Sequence, residues 1–170
     1  VIPLSLYIFL LIELVVLTQI DFKVRKILNP YILLNILLFF FFIFSLKPFY
    51  SLKLDHFGYP LLFIVIGWPL FKLKIMGGGD SKLLSSLFLM IPTSFQDYFL
   101  LNLLWVTILV TGFRFLINIL GSFDKLKEGI KKKDFSEFQK NFGKKIPFTP
   151  IILIAWIWIG VEKSEMLLPF

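Results

Sequence analysis

The chain has 170 residues, of which 58% are hydrophobic and 17% charged. A membrane-spanning helix takes about 20 mostly apolar residues, so spans of that kind use up nearly the whole chain and exclude a separate soluble domain. The net charge of +7 comes from lysines grouped in particular loops, a pattern of membrane topology rather than of nucleic-acid binding. With no cysteine and one histidine, His56, no disulfide, no thiolate or histidine metal site and no cofactor is expected.

The elements follow in chain order. Residues 2–20 form a first span. They lack a basic start and a small-residue cleavage pattern and carry Glu13 mid-segment, unlike a signal peptide. Lys23, Arg25 and Lys26 come directly after, which places the N-terminus outside and residues 21–30 in the cytoplasm. Asn29-Pro30 opens a second span over 31–46, with proline in a first turn where its missing N–H is not needed. An outer loop over 47–57 holds Asp55 and His56, read as ordinary loop residues. A third span covers 58–73 and ends among Lys72 and Lys74. The fourth, 81–92, is short enough to require tilt or a local dip of the water boundary. The fifth covers 98–120.

Residues 121–146 form a long basic loop, and a sixth span covers 147–161. In the loop, Phe123, Leu126 and Ile130, then Phe135, Phe138 and Phe142, follow helical spacing. The loop is therefore either a solvated topology anchor or a pair of amphipathic helices on anionic lipid at the inner leaflet. Fourteen of the 18 basic residues fall on the assigned cytoplasmic side. The fold class is thus all-α: a polytopic membrane protein of about six transmembrane helices, in one membrane-embedded unit over 1–170.

Within this frame the stretch Met76-Gly77-Gly78-Gly79-Asp80-Ser81-Lys82-Leu83 stands out. Three glycines give up side-chain burial, which makes sense where another backbone comes close or the chain turns sharply. A carboxylate at the edge of a hydrocarbon layer is costly and marks a functional site. Asp21, at the end of the first span, is a second such acid at matched cytoplasmic depth. Two carboxyls brought together share a proton; one activates a water while the other polarises a carbonyl. If Asp80 starts a helix and Asp21 ends one, the helix dipoles favour Asp80 as the base and Asp21 as the proton carrier. Glu13, about two turns outward of Asp21, either pairs with polar groups of a neighbouring span or tunes the site. Lys82 either orients Asp80 or snorkels to the interface. Asn29, Asn35 and Arg114 are candidates for bonds between helices.

Gly77-Gly78-Gly79-Asp80-Ser81-Lys82-Leu83 resembles the G-x-G-D-x-K-L motif of type IV prepilin peptidases. The stretch Asp21 to Asn29 is similar to that family's first motif, with Leu28 in place of proline. Ile146-Pro147-Phe148-Thr149-Pro150 is similar to the start of its last span, with Thr149 for glycine. The resemblance implies a six-span GxGD aspartic protease of the prokaryotic cytoplasmic membrane, which cuts the basic leader from prepilin-like precursors at the cytoplasmic face. It implies Asp21 and Asp80 as the catalytic pair, with Gly77, Gly78, Gly79 and Lys82 where substrate approaches. The form resembled is the short, cleavage-only one, without the cysteine-rich methylase region. The alternative from the residues alone is a non-catalytic membrane protein or an ion-coupled carrier that uses the same acids.

Overall fold

The computed structural model describes residues 2–45, 50, 53–73, 76–121 and 147–168. The basic segment 122–146, with its amphipathic pattern, lies outside the described residues, as do Lys47 and Lys74.

Among the described residues are six α-helices: α1 (Leu4–Val24), α2 (Asn29–Ser45), α3 (Gly58–Lys72), α4 (Gly78–Met90), α5 (Thr93–Gly121) and α6 (Thr149–Glu162). A 3-10 turn, Leu54–Phe57, leads into α3. Two short strands, β1 (Ile2–Pro3) and β2 (Leu167–Leu168), pair in parallel and tie the two ends of the described chain.

The helix ends follow from local chemistry. Arg25 takes a left-handed conformation (φ 53°) and returns its N–H to the carbonyl of Asp21, closing α1. Pro30 and Pro150 stand in first turns, where no N–H is required. Ile91 is extended, as a residue before proline prefers, so Pro92 separates α4 from α5. Three elements are long and apolar enough to cross a membrane: Leu4–Val24, Leu54–Lys72 and Thr93–Leu120. Asn29–Ser45 and Thr149–Glu162 are apolar but shorter.

Two groups of three helices make up the bundle. Helices α2 and α3 pack closely on α4, and α1 and α5 pack closely on α6. The seam between the groups is bridged by aromatic rings. Phe63 meets Phe88 at 4.9 Å between centroids, Phe88 meets Phe99 at 5.2 Å, and Phe99 meets Trp156 edge-on at 5.2 Å. The shortest helix, α4, is the most enclosed, with Leu83, Leu84, Leu87, Phe88 and Met90 buried. The outer faces of α2, α3 and α5 expose Phe41, Phe44, Val65, Trp68, Trp105 and Phe113. So much contiguous apolar surface is the mark of a lipid-facing protein.

Two sequence expectations change. Helix α1 extends to Val24, four residues beyond the span end at residue 20 expected from the sequence, so Asp21 stands in its last turn. His56 is not an ordinary loop residue but is buried, stacked on Phe39 with centroids 5.2 Å apart. Its Nε2 lies 2.8 Å from the carbonyl oxygen of Leu89, and its Nδ1 lies 3.4 Å from Thr93 Oγ1. Beside it, the Gln96 amide donates to the carbonyls of Phe88, Ile91 and His56, and the Tyr50 hydroxyl donates to that of Met90. These groups fasten the Pro92 end of α4 to its neighbours and satisfy carbonyls that the broken helix leaves open.

Candidate active site

At the opposite end of α4, three stretches of chain converge. Asp21 is only 5% exposed, although it stands one turn from a helix end. Its partner comes from far along the chain: the backbone N–H of Thr149, at the start of α6, donates to Asp21 Oδ2 at 3.2 Å. The first N–H groups of a helix have no partner within it, and that end carries partial positive charge. A carboxylate is the natural group to receive one of them.

Asp80 sits in the first turn of α4 and is half-buried. Its Oδ2 reaches back and accepts the Gly77 N–H at 3.1 Å, which caps the helix by the same logic. None of the described glycines has a positive φ, so the three before Asp80 are not there for unusual backbone angles. They are there for room. A Cβ on Gly77 would stand 2.6 Å from Asp80 Oδ2, one on Gly78 would meet the Phe71 ring at 3.2 Å, and one on Gly79 would stand 3.1 Å from Ile27 Cβ. The Gly79 contact matters most for the site. Ile27 lies between α1 and α2, just beyond Asp21, so its approach to Gly79 places the end of α1 and the start of α4 at one end of the bundle.

Ser81 is buried, and its hydroxyl lies 3.6 Å from the Met76 sulfur. It also faces Gly67 of α3, where a Cβ would stand 2.2 Å from Ser81 Oγ and 2.4 Å from its Cβ. Lys82 is exposed on the first turn of α4. Among the described residues no group of three His, Cys, Asp or Glu side chains could hold a metal ion. What the convergence offers is two carboxyls at one end of a bundle, each held by a main-chain N–H. That is the equipment of general acid–base chemistry.

Several contacts lie beyond sequence reasoning. The Thr149 N–H has no side-chain signature at all. The Gly67–Ser81 contact is a feature of how α3 crosses α4, and Gly67 sits in an apolar run without other polar marks. Asn35, buried on α2, donates from Nδ2 to Ser86 Oγ of α4 at 3.4 Å; an asparagine inside an apolar stretch is the signal that pointed to it.

Set beside known proteins, residues 8–117, well over half of the chain, match the type IV leader peptidase family. The matched segment contains Asp21, the glycines and Asp80. No curated protein and no solved structure matches the chain.

Proposed function

Since the chain belongs to the type IV leader peptidase family, we propose that it is a membrane aspartic endopeptidase with Asp21 and Asp80 as its catalytic pair. The observation that carries this reading is the contact of Gly79 with Ile27. It puts two acids from distant parts of the family-matched segment at the same end of the bundle.

The chemistry runs as acid–base hydrolysis. Asp80, at the positive end of α4, is the base and takes a proton from water as the oxygen attacks the scissile carbonyl carbon. Asp21 gives its proton to the carbonyl oxygen. The tetrahedral adduct collapses when the C–N bond breaks and the amine leaves with the proton held by Asp80. Return of the hydroxyl proton to Asp21 restores the starting state. The Thr149 N–H occupies Oδ2 of Asp21, so Oδ1 is the oxygen that carries the proton. Asp21 lies at the negative end of α1 and the positive end of α6, so these dipoles offset there. The assignment of the base therefore rests on Asp80 and its own helix end.

The substrate class is a prepilin-like precursor with a basic leader, cut at the cytoplasmic face of a prokaryotic cytoplasmic membrane. Fourteen of the 18 basic residues fall in the segments that this orientation places inside, with the N-terminus outside. The lysine-rich segment 122–146 is suited to anionic lipid rather than to a basic leader, because like charges repel.

The test is cleavage of such a precursor by the purified chain in detergent or liposomes. Asp21→Asn and Asp80→Asn are each expected to lower the rate by about 10³-fold, with insertion and folding retained. Near-normal cleavage by either folded variant overturns the reading.

A further inference from the structure

One buried acid has no part in this mechanism. Glu13 lies eight residues before Asp21 on α1, about 12 Å along the helix, and is only 6% exposed. Its carboxyl faces the Asn35 side chain of α2, yet neither Oε1 nor Oε2 closes a hydrogen bond at ordinary geometry, and Asn35 Oδ1 is likewise buried without a partner. The rest of this cluster is satisfied. Asn35 Nδ2 donates one hydrogen to Ser86 Oγ, and the Ser86 hydroxyl donates to the Leu83 carbonyl at 2.9 Å.

Counting donors and acceptors narrows the options. Asn35 has one N–H left. Turned to Glu13, it satisfies one carboxyl oxygen and leaves the other, with Asn35 Oδ1, as two acceptors facing no donor. A proton on Glu13 removes the deficit: the acid O–H donates to Asn35 Oδ1 while the amide N–H donates to the acid carbonyl. Every polar atom of the group then has a partner, as an enclosed apolar setting demands.

We propose that Glu13 in its acid form and Asn35 close an acid–amide ring across the seam between the two helix groups. Glu13 is then a positioning residue. Helix α1, which bears Asp21, packs on α6, while α2 packs on α4, which bears Asp80. The ring, continued through Ser86, joins α1 to α2 and α4 and sets where Asp21 stands against Asp80. The inference rests on the peptidase reading for its catalytic consequence, but not for the ring itself.

The experiment pairs kinetics with a distance. The chain has no cysteine, so spin labels go cleanly onto Lys23→Cys of α1 and Leu73→Cys just past α3, both exposed positions. Glu13→Gln can donate and accept as the acid does; it is expected to keep the wild-type label-distance distribution and a kcat within about threefold. Glu13→Leu is expected to broaden that distribution and to lower kcat by at least about tenfold at similar KM, since misplacing reacting groups by about 1 Å costs on the order of 10²-fold. An unchanged distribution in the Leu variant overturns the proposal, as does a Gln variant as broad as the Leu one. If the Leu variant does not insert, the Gln variant decides by whether its distribution stays narrow. The distances do not depend on cleavage, so failure of this inference and failure of the peptidase reading are distinguishable.

Discussion

The backbone N–H of Thr149 and the carboxyl group of Asp21, 128 residues apart in the chain, are joined by a hydrogen bond of 3.2 Å. The bond fixes the rotamer of the acid and satisfies one of the open donors of α6 in a place that water does not reach freely. It gives Asp21 a structural duty beside its proposed chemistry, and the two are separable by substitution.

Asp21→Asn keeps an oxygen acceptor for the Thr149 N–H, whereas Asp21→Ala leaves that donor buried and unmet. Both variants are expected to be inactive. Only the Ala variant is expected to lose stability, by about 1–3 kcal/mol, read by denaturant or thermal unfolding in detergent.

Gly67→Ala places a methyl group where Ser81 Oγ and Cβ already stand. The Cβ of Ser81 cannot swing aside, so α3 and α4 must separate, at about 1–3 kcal/mol. Because Ser81 follows Asp80 directly, cleavage is expected to fall along with stability. Adding Ser81→Gly removes the clash and is expected to restore part of both. Gly79→Ala, whose Cβ would meet Ile27 at 3.1 Å, is expected to be milder, because a shift of a few tenths of an ångström in Ile27 relieves it.

At the other end of α4, Gln96→Leu withdraws the donor from the carbonyls of Phe88, Ile91 and His56. The expected loss is about 1–3 kcal/mol of stability, with kcat close to wild type when assayed below the unfolding transition. A selective loss of kcat would contradict the view that this cluster only fastens the Pro92 break.

Gly160→Ala would bring a Cβ to 1.9 Å from the Tyr7 hydroxyl. Tyr7 stacks on Trp156, with centroids 5.2 Å apart, and its carbonyl accepts the Trp156 indole N–H at 3.2 Å. The substitution is expected to dislodge the ring and lower stability by about 1–3 kcal/mol. Tyr7→Phe removes the oxygen but leaves ring carbons Cζ and Cε2 at 2.3 and 2.8 Å from the new Cβ, so the double variant is expected to stay destabilised.

These contacts also mark what was legible beforehand. Asp21 and Asp80 could be singled out because an acid at the edge of an apolar stretch has few reasons to be there, and the helical, membrane-embedded character followed from the same apolar runs. The glycines stand out as a run, but the sequence does not reveal their use: Gly78 and Gly79 make room for Phe71 and Ile27, neither of which sequence spacing connects to them. His56 looks solvated in the sequence because Asp55 and Lys53 stand beside it. Its burial depends on Phe39 and Leu89, which arrive from α2 and α4. The Thr149 bond uses a main-chain group that every residue but proline owns, so no side-chain pattern announces it.

The order in which the chain leaves the ribosome gives the Asp21–Thr149 bond a further meaning. Helix α1 is made early, while the donor that steadies its acid belongs to α6, which leaves the ribosome after the five other described helices. A half-made chain in the bilayer holds both carboxyls but not the donor that orients one of them. The setting of Asp21 in the bundle is therefore complete only once α6 has joined α1, so any chemistry that needs this acid in one fixed orientation waits on a helix laid down more than a hundred residues later.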